Sequence, residues 1–148
     1  MPKATVTFQG HMLFEGVSDS GHRVVMDSAP DVGGQNQGIR PMEMVLVALG
    51  GCTGMDVVSI LNKMRVSYTH FRMEAEGQRA DEHPKVYRHI TLKYIFEGDG
   101  DAKDKFMRAV TLSQEKYCSV SAMLAKSATI QADVILNGET IGSLVSQG

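Results

Sequence analysis

The sequence predicts an α+β fold in which antiparallel sheet packs against a central apolar helix. Two segments, near residues 70–76 and 90–96, alternate apolar and polar side chains as half-buried strands do. An apolar segment that begins at Pro41 is typical of a buried helix. The length of 148 residues suits one domain, which we assign to residues 1–148.

The first 40 residues predict short strands followed by a long loop. Val6 and Phe8 alternate with threonines, and residues 18–21 have the composition of a turn, so we expect a meander of two or three antiparallel strands. Residues 28–38 contain one proline, three glycines and almost no apolar side chain. This composition predicts a loop, and its length indicates either a functional role or a connection between subunits.

The helix that begins at Pro41 is apolar on nearly all sides through Met55. Glycines at positions 50, 51 and 54 weaken a helix, so we expect them to let another backbone or a ligand approach closely. A single sheet covers only one side of such a helix. A homodimer in which the partner's sheet covers the other side would bury it.

The second half of the chain continues the α+β order. Residues 81–84 have turn composition between the two alternating segments and predict a hairpin. The elements expected after it are a helix capped near Asp101 and running to about Tyr117, a break at Cys118, a helix capped by Ser119 or Ser121, and a strand over residues 129–136.

Charge and hydropathy exclude several classes of function. The net charge of -2 and the sequence pI of about 6.2 give no basic surface for nucleic acid or anionic membranes. The longest uncharged apolar stretch, residues 44–55, is shorter than the roughly 20 residues that span a bilayer. The first residues lack a secretory signal, so we expect a cytoplasmic protein with reduced cysteines, and neither nucleic acid nor membrane as partner.

The chemistry is expected at the two cysteines, Cys52 and Cys118. Cys52 lies in the apolar helix behind two glycines, and Cys118 lies at a predicted helix start, where free N–H groups favour an anion. The alternative is that both are small buried apolar residues, which is common for free cysteine. The five histidines have no metal-binding spacing, and no Cys-x-x-Cys is present, so no metal or other cofactor is expected.

Three segments resemble the OsmC/Ohr superfamily, in particular its YhfA-like branch. They are Pro-Met-Glu-Met-Val-Leu-Val-Ala-Leu-Gly-Gly-Cys at 41–52, Asp-Val-Val-Ser-Ile-Leu at 56–61, and a run from Ala109 that ends Glu-Lys-Tyr-Cys-Ser-Val at 115–120. The resemblance covers nearly the whole chain. It implies an intertwined homodimer with two six-stranded sheets around central helices and active sites at the subunit interface.

The resemblance also implies roles for the cysteines. Cys52 matches the peroxidatic cysteine, whose thiolate attacks an organic hydroperoxide and becomes a sulfenic acid. Cys118 matches the resolving cysteine, which forms a disulfide that an external dithiol reduces. No metal or flavin is needed.

The chain departs from the hydroperoxidase pattern next to Pro41. That pattern has a glutamate directly after the proline, paired with an arginine from an early strand. Here Met42 follows the proline and Glu43 comes one step later, which turns its side chain by about 100° around the helix. Arg40 is the cation we expect to stand in for the missing arginine, and Arg40 and Glu43 are therefore the expected accessory residues.

The sequence thus predicts a thiol-dependent peroxidase that acts in oxidative stress defence. Two alternatives remain open. One is a non-enzymatic protein of the same fold that binds a small hydrophobic molecule. The other is a cysteine-dependent acyl-transfer enzyme, which requires a histidine within hydrogen-bond reach of Cys52.

Overall fold

The computed structural model describes residues 1–147, which form two compact units, residues 1–45 and the rest of the chain from Leu46. The first unit contains strands β1 (Ala4–Phe8), β2 (Phe14–Ser18) and β3 (Arg23–Met26). They form an antiparallel sheet in this order, as the turn composition predicted. The assignment of one domain to the whole chain stays a prediction.

The loop after β3 is organised around one buried carboxylate. Asp27 is 3% exposed, and its two oxygens accept backbone N–H groups of Ser28 at 2.7 Å, Gln35 at 3.2 Å and Gln37 at 3.1 Å. Gly34 belongs to this turn because a Cβ there would overlap the backbone of Ser28. The expected loop is therefore a folded turn around Asp27.

The long helix α1 spans Pro41–Lys63, as the position of Pro41 predicted. Within the second unit, one stripe of this helix is fully buried, at Leu49, Thr53, Val57 and Leu61. The spacing of four residues places this stripe on one face of the helix. The opposite face stays open, with Met55 76% exposed. By length and composition α1 is able to cross a bilayer, a test that core helices of soluble proteins also pass.

The second unit is built on a four-stranded sheet in the order β4-β5-β6-β7. The strands are β4 (Tyr68–Arg79), β5 (Tyr87–Gly98), β6 (Thr129–Leu136) and β7 (Glu139–Ser146). The β4–β5 hairpin is antiparallel, as predicted, but β5 and β6 pair in parallel. The expectation of purely antiparallel sheet is therefore wrong. Helical residues connect β5 to β6, and such a crossover is what parallel neighbours require.

Strand β7 was missed by the sequence reasoning. Asn137 and Gly138 end β6 with φ of 51° and 84°, and β7 returns antiparallel to β6. Positive φ at both residues is the geometry of a two-residue hairpin turn, for which Asn-Gly is the strongest sequence signal. The dipeptide therefore reverses the chain into a further strand.

Between β5 and β6 lie α2 (Lys103–Leu112), a π-helical turn (Ser113–Tyr117) and α3 (Ser119–Leu124). The break at Cys118 is as predicted. The N-cap of α2 is Ala102, next to Asp101 as predicted, but no side chain makes a capping hydrogen bond there. The cap of α3 is Cys118 itself, and neither Ser119 nor Ser121 has this role. The α+β class is confirmed.

Candidate functional site

The structure places the two cysteine side chains next to each other in the second unit. Cys52 lies on α1, directly before the buried Thr53, and its side chain is half-buried. Cys118 lies between the π-helical turn and α3 and is 3% exposed. The Cys52 side chain lies close enough to Cys118 to raise the pKa of the Cys118 thiol, and both cysteines are free. Their sequence separation gave no indication of this closeness.

Cys118 is held by the first turn of α3. Its backbone is extended, with φ of -75° and ψ of 104°, and its sulfur accepts the backbone N–H of Ser121 at 3.4 Å. A side-chain acceptor at this position satisfies one of the N–H groups that a helix start leaves without a backbone partner. Cysteine therefore takes the capping role that serine or threonine usually has.

Burial raises the pKa of the Cys118 thiol above its ordinary value of 9.0. The Ser121 N–H, which donates to the sulfur, and the nearby Ser121 hydroxyl oppose this rise by stabilising the ionised form, whereas the neighbouring Cys52 adds to it. Cys118 is therefore a neutral thiol at neutral pH. The two cysteines differ in solvent access, since only Cys52 is partly open to a small molecule.

The π-helical turn sets the direction of the chain into Cys118. The backbone N–H of Cys118 donates to the carbonyl of Ser113 at 2.8 Å, which closes the turn. Ser113 and Gln114 are buried within it, whereas Tyr117 is half exposed. Single π-helical turns of this kind occur frequently at functional sites.

A buried polar network connects this turn to α1 and β5. Thr53 Oγ1 lies 2.7 Å from both the Tyr94 hydroxyl and the Ser113 hydroxyl. Ser113 donates to Asp56 Oδ2 at 2.9 Å, and Gln114 Nε2 donates to the Tyr94 hydroxyl at 2.7 Å. Asp56 of α1 therefore has a hydrogen-bond partner on the turn. The other members were missed, because each reads as an ordinary core or helix residue in sequence.

Burial raises the pKa of Tyr94 to about 12, and the donors Thr53 and Gln114 only partly offset this rise. The charges of Cys118 and Asp56 raise the pKa further. Tyr94 is therefore a neutral hydrogen-bond donor near Cys118 at neutral pH.

Two openings border α1 within the second unit. A cleft of about 400 Å³ is lined by Asp56, Ser59, Ile60, Lys63, Met64, Leu112 and Tyr117. A wider, mostly apolar groove of about 620 Å³ is lined by Gly51, Gly54, Met55, Val58, Ser59, Asn62 and Phe71. The cleft contains Tyr117, the residue before Cys118, and Asp56, one helical turn after Cys52.

Arg40 and Glu43, the expected accessory residues, both make structural contacts in the first unit. Glu43 Oε1 accepts the backbone N–H of Arg40 at 2.9 Å and so caps the start of α1. The Arg40 guanidinium donates to Asn36 Oδ1 at 2.7 Å and to the Gly38 carbonyl at 3.1 Å. Burial works against ionisation of Asp27, but the N–H donors of its turn and the charge of Arg40 outweigh it and lower the pKa.

Residues 1–147 hold no cluster of three or more histidine, cysteine or acidic side chains suited to a metal ion. Among the histidines of the second unit, His70 pairs with Glu97 at 3.0 Å on the exposed face of the sheet. Within residues 46–147, no hydrogen bond joins a histidine to Cys52. The acyl-transfer alternative lacks the general base that it requires from this unit.

The chain matches a protein family model, and it is similar to proteins of known sequence and of known structure. A family model described as OsmC-like protein matches residues 34–133. Protein YhfA of Escherichia coli strain K12 is 42% identical over 132 residues, which cover 86% of this chain and 92% of YhfA. A hypothetical protein from Aquifex aeolicus VF5 is 29% identical, with a TM-score of 0.75 over 93% of this chain and 98% of its own.

A more distant solved structure has the same fold. It is an organic hydroperoxide resistance protein OsmC from Legionella pneumophila, 14% identical, with a TM-score of 0.70 over 91% of this chain and 96% of its own. At this identity the likeness shows the fold alone.

Proposed function

The chain belongs to the OsmC-like protein family, and from this premise we propose that it is a thiol-dependent peroxidase that reduces organic hydroperoxides. The observation that carries the proposal is the cysteine pair. Two free thiols lie close enough for one to act on the pKa of the other, and one is half-buried whereas the other is buried and held neutral. A half-open cysteine beside a neutral thiol suits a reaction in which the open cysteine acts first.

In the proposed reaction, the Cys52 thiolate attacks the outer oxygen of the hydroperoxide. The S–O bond forms as the O–O bond breaks, and the alkoxide leaves as an alcohol after taking a proton. Cys52 is then a sulfenic acid. The sulfur of Cys118 displaces its hydroxyl, which leaves as water with the proton of Cys118, and an S–S bond forms. An external dithiol restores both thiols by disulfide exchange.

We infer the substrate class from the two openings beside α1, the helix that carries Cys52. The groove is lined mostly by apolar surface, including Met55 and Phe71, and the cleft combines the apolar Ile60, Met64 and Leu112 with polar side chains. Apolar walls favour the organic part of a hydroperoxide over hydrogen peroxide, which has nothing to bury. The name of the Legionella relative, an organic hydroperoxide resistance protein, agrees with this substrate class and with a role in oxidative stress defence.

The proposal includes a homodimer and a cytoplasmic location, with neither nucleic acid nor membrane as partner. The homodimer is supported by exposed apolar side chains in both units, such as Phe8 at 58% and Met55 at 76%. A second copy of the chain would cover them. Arg40 and Glu43 remain the proposed accessories to Cys52, although their observed contacts shape the loop and the helix start.

The second candidate is a binding protein for a small hydrophobic molecule. It is favoured by the apolar groove of about 620 Å³ and by the structural contacts that already engage Arg40 and Glu43. Native mass spectrometry of the purified protein would then show a bound organic molecule. Both cysteines would remain unreactive toward peroxide.

The peroxidase is tested by steady-state consumption of cumene hydroperoxide with a dithiol reductant. We expect wild-type protein to turn over, with cumene hydroperoxide preferred to hydrogen peroxide, and Cys52→Ser to be inactive. Ser67→Ala, an exposed serine in the same unit, serves as the matched control and should behave as wild type. Equal peroxide consumption by wild type and Cys52→Ser would overturn the proposal.

A further inference from the structure

The buried polar network lies between the backbone neighbours of the two cysteines. Thr53 directly follows Cys52 on α1, and the carbonyl of Ser113 accepts the backbone N–H of Cys118 at 2.8 Å. The hydroxyls of Thr53 and Ser113 are 2.7 Å apart. Side-chain hydrogen bonds therefore connect the helix that carries Cys52 to the turn that carries Cys118. Thr53 and Asp56 of α1 both bond to Ser113, and Gln114 also donates to Thr53 at 3.4 Å.

The direction of each hydrogen bond follows from the number of protons available. Asp56 accepts, so the single proton of the Ser113 hydroxyl is directed to Oδ2. Thr53 must then donate to Ser113. Because the Thr53 proton is used there, Tyr94 must donate to Thr53.

The direction of the hydrogen bond at the other end of the network, between Gln114 and Tyr94, is determined as well. Gln114 Nε2 donates to the Tyr94 hydroxyl at 2.7 Å, which leaves Tyr94 free to use its own proton toward Thr53. Each member of the network therefore donates to the next one. The donors and acceptors follow one another in the order Gln114, Tyr94, Thr53, Ser113 and Asp56. Hydrogen bonds in such a chain strengthen one another, and a buried chain with one member removed leaves its neighbours unsatisfied.

We infer that the chain of hydroxyls Tyr94–Thr53–Ser113, anchored on Asp56, is a positioning device that holds Cys118 within disulfide reach of Cys52. The side-chain hydrogen bonds of Thr53, Ser113 and Tyr94 go to one another, to Asp56 and to Gln114, and none of the three lines the cleft or the groove, so they are positioning residues. A disulfide forms only when the two Cα atoms lie within about 7 Å and the side chains point toward each other. The network restricts the π-helical turn to such an arrangement.

The role of this device in turnover rests on the proposed function. After Cys52 becomes a sulfenic acid, Cys118 must reach it before a second peroxide molecule or another thiol does. A chain that keeps the two sulfurs together speeds resolution without changing the first attack on peroxide. Loss of the Thr53 hydroxyl should therefore lengthen the lifetime of the sulfenic acid.

The test uses a pair of substitutions at one position. Thr53→Val keeps the shape of the side chain and removes its hydroxyl, whereas Thr53→Ser keeps the hydroxyl and removes a methyl group. Each protein is equilibrated in glutathione buffers, and the ratio of disulfide to dithiol gives the effective concentration of one cysteine at the other. The substitution Thr111→Val on α2, outside the network, is the matched control.

We expect Thr53→Val to lower the effective concentration about tenfold or more, the factor that the loss of one buried hydrogen bond produces. Thr53→Ser should restore most of it, and Thr111→Val should leave it unchanged. With cumene hydroperoxide, Thr53→Val should form the sulfenic acid at the wild-type rate and should react with dimedone to a greater extent. A Thr53→Val disulfide as stable as that of wild type, or equal losses in Thr53→Val and Thr53→Ser, would overturn the inference.

Two features keep this test independent of folding and of the peroxidase proposal. If Thr53→Val does not fold, Ser113→Ala removes the same link from the other side, with Ser67→Ala as its control. The glutathione equilibrium contains no peroxide, so it measures positioning even if cumene hydroperoxide is never consumed. Absence of peroxide consumption by wild type would contradict the proposed function alone.

Discussion

The two compact units of this chain obtain their order in different ways. From Leu46 onward, the second unit buries its own apolar core, including Leu49, Tyr94, Phe96 and Phe106 at 1% exposure or less. In residues 1–45 the buried positions are Gly16 and Asp27, and every apolar side chain larger than glycine stays at least partly exposed. One unit is stabilised by packing, the other by strand pairing and a buried carboxylate.

The two units are therefore expected to have different roles. The second unit carries both cysteines, the polar network and a buried apolar core. The first unit exposes an apolar pair, Phe8 and Phe14, with ring centroids 5.3 Å apart. Because exposed apolar clusters of this kind mark interaction surfaces, the first unit is where we expect a second copy of the chain to bind.

The largest effect is expected in the packed unit. Phe106 on α2 is fully buried, and its ring packs against that of Phe96 in a tilted arrangement with centroids 4.7 Å apart. Replacing it by alanine should lower the free energy of unfolding by about 3–5 kcal/mol, through lost burial and the cavity that remains. Urea unfolding followed by circular dichroism measures this loss. A change as small as that of an exposed residue would show that the core is not built as described.

The second prediction concerns the exposed sheet of the first unit. Phe8→Glu places a charge on the apolar face of β1 and should convert the proposed homodimer to a monomer. Light scattering after size-exclusion chromatography gives the mass. Thr7→Glu, which adds the same charge on the other face of the strand, should stay dimeric. A monomeric wild type would contradict the dimer proposal directly.

The third prediction concerns Asp27, whose lowered pKa has a defined consequence for stability. A carboxyl group whose pKa is lower in the folded state stabilises the fold above the ordinary value of 3.8, and this contribution is lost as the pH falls through the lowered pKa. Asp27→Asn should remove that pH dependence and loosen the turn at neutral pH. Hydrogen exchange at the amides of Gln35 and Gln37 measures both effects.

The effect of Asp27→Asn on hydrogen exchange is expected to be confined to the turn. Exchange should rise in residues 28–38 and stay unchanged in the second unit, because the carboxylate bonds only to the turn. Equal protection of Gln37 in wild type and Asp27→Asn would show that the carboxylate does not organise the turn.

The smallest effect is expected at Glu43. Glu43→Ala removes the acceptor for the Arg40 N–H and should cost about 0.5–1 kcal/mol of stability, whereas Glu43→Gln retains an acceptor oxygen and should cost less. Thermal unfolding measures both variants. A loss of peroxide turnover in Glu43→Gln at unchanged stability would instead assign Glu43 the accessory role expected from the sequence.

Sequence reasoning was most successful where a local pattern determines structure. Pro41 marked the start of α1, and the alternation around Phe71 and Ile90 gave the β4–β5 hairpin. It failed where structure depends on distant partners. The parallel pairing of β5 with β6 has no local signal, and β7 was missed although Asn137-Gly138 announces a hairpin turn.

In the candidate site, too, local motifs were predicted from the sequence, whereas contacts between distant residues were not. The motifs around Cys52 and Cys118 identified the cysteines, but not that their thiols lie together. Tyr94 is 41 positions from Thr53, and Ser113 is 60 positions from it, so the network exists only after folding. Arg40 was expected as a surrogate cation because charge is visible in sequence, whereas its contacts with Asn36 and Gly38 are not.

The central claim is that Cys52 and Cys118 act as a redox pair. The most direct measurement is the intact mass of the reduced protein after one equivalent of cumene hydroperoxide, followed by peptide mapping. The account predicts the loss of two hydrogens in wild type with a Cys52–Cys118 disulfide, and one added oxygen on Cys52 in Cys118→Ser. Unchanged mass and two free thiols in wild type after peroxide treatment would contradict it.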